Sequence, residues 1–377
     1  MSLTGLKQKT NEIIYSNIIK RIAFKFDAER VHNSFTLVGR FLGSNFLTRK
    51  IIEFDFSYQN KKLEQNILGI HFRNPIGLAA GFDYNADLVK ILPGVGFGFG
   101  TIGSVTHGKY GGNEKPRLGR LPNSRSLLVN KGLKNKGAKA IAGKIKNIEI
   151  EIPLGVSIAK TNCKETCDEK EGIKDYINCI KEFEKVNVGN YYELNISCPN
   201  AFGGEDFTEE KKLDRLLTET DKLELRKPLF LKMPVDFSVR KTEELCNIAK
   251  NHKVEGLIFG NLTKNRKRKE FDREEMKRAG KGAFSGLPTK EASNKLIAFV
   301  RKKYKRRFVI IGLGGVFSAQ DVYEKIKLGA DLVQLITGMI YNGPSLIGKI
   351  NYRLTKLIEK EGFNNIREAV GKGLIKV

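Results

Sequence analysis

The sequence predicts an α/β chain, a (β/α)8 TIM-type barrel with a small N-terminal amphipathic helical extension, and three observations predict it. Eight short apolar runs follow Pro75, each of strand length. Amphipathic helical stretches separate most of them, the alternation that builds a parallel sheet closed by helices. Glycines, hydroxyls and carboxamides gather just after the runs, where a parallel barrel carries its chemistry. A doubly wound open sheet is the alternative assembly of the same pieces. At 377 residues and 40% hydrophobic content the chain can bury one large core. The pattern divides it into a helical segment, residues 1–48, and a barrel, residues 49–377.

The N-terminal segment carries Ile14, Ile18, Ile22 and Phe26 at intervals of four, with Lys7, Lys9, Lys20, Arg21 and Lys25 among them. That is a basic amphipathic helix. A second apolar stripe, Val31, Phe35, Val38, Phe41 and Leu42, follows Asp27 and ends at Gly43 and Ser44. Such helices either dock on a barrel or lie in a membrane interface. The strand candidates are Ile76–Ala80, Phe97–Gly103, Leu154–Ile158, Tyr191–Ile196, Leu229–Met233, Glu255–Gly260, Phe308–Gly312 and Asp331–Ile336. Helical patterns cover Asp175–Glu184, Glu209–Leu225, Thr242–His252, Thr289–Tyr304 and Ala319–Lys327. The basic stretch Asn261–Gly286 is too long for a simple connection, so it crosses a site or is a disordered excursion.

The strand ends hold the candidate chemistry. The first candidate ends in Ala79, Ala80 and Gly81, small enough for a flat ring to approach backbone. The second ends in Ser104 and Thr106, with Arg117 and Arg120 leading to Asn130-Lys131-Gly132. The fourth reads YYELNISCPN, Tyr191–Asn200. Pro199 stops the ladder there, and Asn195, Cys198 and Asn200 cluster behind it. Paired carboxamides can read a ring bearing C=O and N–H groups, and a thiol beside them can take a proton. A strand followed by a polar turn with a buried cysteine explains the stretch equally well. Lys232 is a lone cation inside LFLKMP; it needs an anion, or else it is an edge residue reaching solvent. Asn261 follows the sixth candidate. Gly314 and Gly315 follow the seventh, and Thr337-Gly338 the eighth, the placement of a barrel phosphate site, to which Ser285-Gly286 could add N–H donors.

Composition bounds the partners. Lys and Arg outnumber Asp and Glu by 67 to 42, a net charge of +25. That suits an anionic ligand, membrane surface or nucleic acid. The basic residues are not interleaved with exposed aromatics and no nucleic-acid motif is present, so no nucleic acid is expected. Five cysteines form no framework, which predicts a reducing compartment. Cys163 and Cys167 are a lone C-x3-C and only four histidines are present, so no metal is expected. No apolar run reaches the ~18 residues of a spanning helix, and no signal peptide or transit peptide is evident.

LAAGFD, GNEKPRLGRL, NISCPN, FSGLP, IIGLGGV and VQLITGMIYNGP occur between about Phe26 and Lys349. In these motifs, and in their order, the chain resembles the dihydroorotate dehydrogenases, flavin enzymes of pyrimidine biosynthesis. FDAERVH is similar to the N-terminal helix of the class 2, quinone-dependent members. The resemblance implies FMN held by Ala80, Gly81, Ser104, Asn130, Lys232, Ser285, Gly286, Gly314, Gly315, Thr337 and Gly338. It implies dihydroorotate or orotate against Asn130, Asn195, Asn200, Asn261 and the backbone around Leu262. His32 and Arg120 would line a quinone tunnel. Cys198 would take a C5 proton while C6 gives hydride to the flavin, Lys232 would stabilise the reduced flavin, and a membrane quinone would reoxidise it beneath the N-terminal helices. The expected location is the cytoplasmic face of a bacterial cell membrane, as a peripheral protein.

The chain also departs from the family pattern. Tyr84 stands where the substrate-carboxylate lysine is expected, and Lys134, in place of an aromatic residue, could restore that charge. Ser157 replaces a flavin-contacting Asn and Ile336 a tunnel Tyr. Cys198 replaces the class 2 serine and matches the base of the soluble class 1 enzymes. A soluble class 1-like dehydrogenase using fumarate is therefore the alternative; a non-enzymatic nucleic-acid binder is a more distant one.

Overall fold

The computed structural model describes residues 3–202 and 206–376. Eight parallel strands form a closed barrel: β1 (Ile76–Leu78), β2 (Phe99–Val105), β3 (Leu154–Ile158), β4 (Tyr191–Asn195), β5 (Leu229–Met233), β6 (Gly256–Phe259), β7 (Val309–Leu313) and β8 (Leu332–Leu335). Each falls on one of the eight apolar runs. Neighbours in sequence are neighbours in the barrel, and β8 closes on β1 through Val333↔Ile76 and Leu335↔Leu78. That pairing sets the open-sheet alternative aside. The runs are apolar almost throughout because helices cover their outer faces and the barrel fills its own interior.

The interior is layered. Phe99, Tyr191, Phe230, Ile258, Ile311 and Leu332 form a plug with Phe72. Phe72 comes from an antiparallel hairpin, Gln65–Ile67 with Ile70–Phe72, that precedes β1. Three strand glycines make room for the large rings. A Cβ on Gly77 would lie 2.3 Å from the Phe99 ring, one on Gly155 2.3 Å from Tyr191, and one on Gly256 2.2 Å from Phe230. Two residues further along their strands, on the same inward face, come Thr101, Glu193 and Gln334. The barrel is thus apolar at its floor and polar one layer higher.

The basic stretch after β6 is ordered. It forms the helix Arg273–Arg278 and the short strand Ala283–Phe284. That strand joins Leu118–Leu121 and Ser126–Val129 in a three-stranded antiparallel sheet. Glu275 fixes the contact by accepting from the backbone N–H of Asn123 (2.8 Å) and Ser124 (2.9 Å). The crossing-loop expectation holds, and the excursion is not disordered.

The N-terminal stripes are helical as predicted. One helix runs from Leu3–Ile14 through a π-helical turn, Tyr15–Ile19, into Lys20–Ala23, and the next spans Ala28–Ser44. Asp27 caps the latter by accepting from Arg30 N–H at 2.9 Å. A third helix, Phe46–Phe56, which the sequence pattern did not separate, begins at an Asn45 cap and runs through position 48. These helices have two faces. One is docked: the Tyr15 hydroxyl donates to Ile340 C=O at 2.7 Å, and buried Glu29 pairs with Arg117 at 3.0 Å. The other bears Ile18, Ile22, Phe26, Phe41, Phe46, Leu47, Ile51 and Phe54, each more than half exposed. Among the described residues no helix is long and apolar enough to cross a membrane.

Replacing Gly77 with Ala should destabilise the barrel by about 1–3 kcal/mol, since the added methyl must displace the Phe99 ring in a filled layer. Thermal unfolding reads the effect, and an unchanged Tm would show that the floor is less tightly filled than described.

Candidate active site

At the C-terminal mouth of the barrel lies a cavity of about 500 Å³. Of the sequence-predicted site residues, Ala80, Gly81, Ser104, Asn195, Cys198, Asn200, Lys232, Asn261, Ser285, Gly286, Gly314, Gly315, Thr337, Gly338, His32 and Arg120 all line it. Asn130 is not among the lining residues. It stands one contact away, accepting from Asn113 Nδ2 at 3.1 Å.

The polar half is a hydrogen-bonded ring at the strand ends. Asn195 Nδ2 donates to Ser104 Oγ (2.8 Å), which pairs with Ser157 Oγ (2.8 Å). Asn261 Nδ2 donates to Asn195 Oδ1 (3.2 Å) and to Ser197 C=O (2.9 Å). Asn200 Nδ2 donates to Val129 C=O at 2.9 Å. Sequence reasoning missed the residues behind this ring. Asn113 donates to both Asn130 Oδ1 and Asn200 C=O at 3.1 Å, and Asn162 donates to Asn113 Oδ1 at 3.1 Å and Gly132 C=O at 2.9 Å. Asn162 follows the third strand candidate and Asn113 lies within GNEKPRLGRL, but nothing local marks them as partners.

Lys232 reaches the cavity from β5. It is nearly wholly buried, and burial pushes its ammonium below the usual lysine range against the opposing pull of Glu193 and Cys198. Its ammonium forms no hydrogen bond or salt bridge among the described residues, and its burial sets the solvent-reaching edge residue aside. Lys134 does not supply a free cation: its Nζ sits 3.3 Å from Glu29, which Arg117 also holds. Lys131, like Lys232, is a cavity cation without a hydrogen bond or salt bridge from its ammonium among the described residues. It is buried, lines the cavity, and its Nζ stands 4.2 Å from the centre of the Tyr84 ring. Burial lowers its pKa to about 7.

The other half of the cavity is apolar and lies under the N-terminal helices, with Phe24, Val31, Phe35, Val38 and Leu42 on one side and Ile336, Met339 and Pro344 on the other. His32 sits where the halves meet, stacked on Tyr84 at 5.7 Å, edge-on to Phe82 at 4.9 Å, its Nε2 without a partner. Burial, then the charges of Lys131 and Lys134, lower its pKa to about 3, so the ring is neutral. Arg120 donates to Phe26 C=O at 2.9 Å and covers the Phe24 ring at 4.6 Å, joining the hairpin to the first helix.

A closed barrel with a polar mouth open to an apolar passage defines an enzyme that handles one polar and one lipophilic reactant. The family model for dihydroorotate dehydrogenase matches residues 62–358. Dihydroorotate dehydrogenase (quinone) of Helicobacter acinonychis is 32% identical over 367 residues, covering 96% of this chain and 100% of its own. The protein of the same name from Agrobacterium fabrum is 34% identical over 363 residues, 94% of this chain and 95% of its own. Among solved structures, the Eimeria tenella enzyme in complex with ferulenol superposes with a TM-score of 0.76 at 26% identity, covering 87% of this chain and 95% of that one. The chain belongs to the dihydroorotate dehydrogenase family, and its full-length relatives are of the quinone-dependent type.

Proposed function

We propose that this protein oxidises dihydroorotate to orotate and passes the electrons to a membrane quinone, within de novo pyrimidine biosynthesis. The observation that carries the reading is the continuity of the cavity: the polar ring and the apolar passage under the helices are one space. The residues present fit FMN. A Cβ at Gly81 would point into open space, with no atom nearer than Ile336 at 3.9 Å, so a flat ring can lie against that backbone. Gly314 and Gly315, both at positive φ, expose backbone after β7, where a barrel binds phosphate. FMN, when bound, supplies the acceptor for the hydride leaving C6.

The chain's own residues do the rest. Cys198 takes the C5 proton on Sγ, and a thiolate base needs less activation than a serine hydroxyl. The Asn195, Asn200 and Asn261 side chains orient the ring without adding charge. Lys232 holds a positive charge against the floor of the site, where it favours a reduced, anionic flavin. Lys131 meets the substrate carboxylate, because Tyr84 has replaced the expected lysine and carries Lys131 on its ring face. The exposed Ile and Phe face of the first three helices, with its interspersed Lys and Arg, lies in the membrane interface of the cytoplasmic leaflet and admits quinone past His32 and Arg120. Cys198 favours one second reading, a class 1-like enzyme reducing fumarate.

Cys198→Ala should retain FMN yet slow dihydroorotate-driven flavin reduction by ~10²–10⁴, the loss typical of a general base. Near-wild-type reduction in stopped flow would remove Cys198 from that role, and full-length turnover with fumarate at or above the quinone rate would replace the quinone reading.

Lys131 gives up its proton near pH 7 in the free enzyme. kcat/KM for dihydroorotate should therefore fall above about pH 7, while kcat at saturation holds because the bound carboxylate keeps Lys131 charged. In Lys131→Met that limb should vanish and KM rise roughly 10- to 100-fold, the worth of a charged hydrogen bond. An unchanged KM would mean another group takes the carboxylate.

Phe41 and Phe54 are 71% and 75% exposed, so Phe41→Glu/Phe54→Glu should fold normally. The variant should lose binding to anionic vesicles and turnover with a lipophilic quinone while keeping substrate-driven flavin reduction. Vesicle binding equal to wild type would show that this face does not meet the membrane.

A further inference from the structure

Glu193 has no part in the mechanism above, yet it is fully buried inside the barrel. Its Oε1 accepts from Thr101 Oγ1 at 2.7 Å and Gln334 Nε2 at 2.8 Å. Its Oε2 has no partner, and neither has Gln334 Oε1. Two orphaned acceptors in one interior layer are costly, and an unpaired carboxylate oxygen more so. Directly above this layer is a matching surplus of donors. Glu193 lies two residues before Asn195 on β4, and Asn195 is in register with Lys232 on β5. Lys232 therefore stands one layer nearer the mouth, with three ammonium donors and, among the described residues, no hydrogen-bonded or ion-paired acceptor.

We infer that Glu193 is the fixed counter-charge of Lys232, a positioning residue through which the barrel interior sets how strongly Lys232 stabilises a reduced flavin. The inference rests on the proposed reading for its flavin consequence, though the charge pairing itself does not. Among the described residues, the titratable groups facing Lys232 are Glu193 below it and Cys198 at the mouth, with Tyr191 a layer deeper, its hydroxyl bonded to Thr101 Oγ1 at 2.8 Å. The charge of Glu193 opposes the loss of the Lys232 proton that burial alone would favour. Glu193 favours the charged form of Lys232, so removing it makes protonation of Lys232 depend more strongly on the charge of the flavin above it.

The test is a double-mutant cycle of wild type, Glu193→Gln, Lys232→Met and Glu193→Gln/Lys232→Met, read by thermal unfolding without added FMN. Each single change strands one buried charge and should lower Tm. The double change leaves a neutral pair and should recover most of the loss. Additive losses, with the double variant at the sum of the singles, would overturn the pairing; so would a Glu193→Gln that unfolds and is not rescued by Lys232→Met. The second readout is the midpoint potential of bound flavin against pH. It should steepen towards alkaline pH in Glu193→Gln relative to wild type, and the steepening should be absent when Lys232 is also Met. A purely structural Glu193 would change Tm or flavin content but leave the pH slope as in wild type, which would overturn the role. Wild-type protein that never binds FMN would sink the proposed function, while the unfolding cycle would still decide the pairing.

Discussion

Pairing of β8 with β1 is the contact on which the rest of this molecule depends. Once Val333 and Leu335 pair with Ile76 and Leu78, every strand has two neighbours and every strand end faces the same mouth. Residues from far-separated parts of the chain then meet. Asn195 reaches Ser104 across 91 positions, and Asn261 reaches Ser197 across 64. Closure also creates an interior that must be filled. The chain fills the floor with rings packed over Gly77, Gly155 and Gly256, and reserves the next layers for charge.

That division explains where the chemistry sits. An aromatic floor excludes water from below, so a cation buried above it acts in a low dielectric, where its field is strong and its own burial expensive. Carboxamides at the mouth add hydrogen-bonding capacity without further charge. Their positions are over-determined: Asn113 and Asn162 hold Asn130, Asn200 and Gly132 from behind. Side chains held in this way are preorganised rather than dependent on a ligand to place them.

The N-terminal helices answer two demands at once. Tyr15, Glu29 and Ala23 tie one face to the barrel, while the opposite face leaves large apolar side chains in solvent. The docked contacts and the exposed apolar side chains belong to different faces of the same helices, so docking on the barrel leaves that apolar face uncovered. The apolar passage exists because the docked face roofs the mouth instead of filling it.

The sequence by itself determined the strand count, the barrel class and many of the polar residues that line the cavity, because these follow from local signals. Apolar runs of strand length, glycines at turns and the NISCPN and GLGG motifs each act within a few residues of chain. It also marked Lys232 as anomalous, since a cation within LFLKMP is out of place wherever that run is buried. What only the tertiary structure decided are pairings across the barrel. Lys134 read as a free cation until Glu29, 105 positions away, was brought to it, and Lys131 became an unshared one. The helix Phe46–Phe56 was hidden because its exposed apolar residues break the amphipathic pattern. Glu193 carried no signal at all within YYELNISCPN. Its weight comes from Thr101 and Gln334, which reach it only when the barrel closes, and no local pattern encodes a contact whose partners are set by closure.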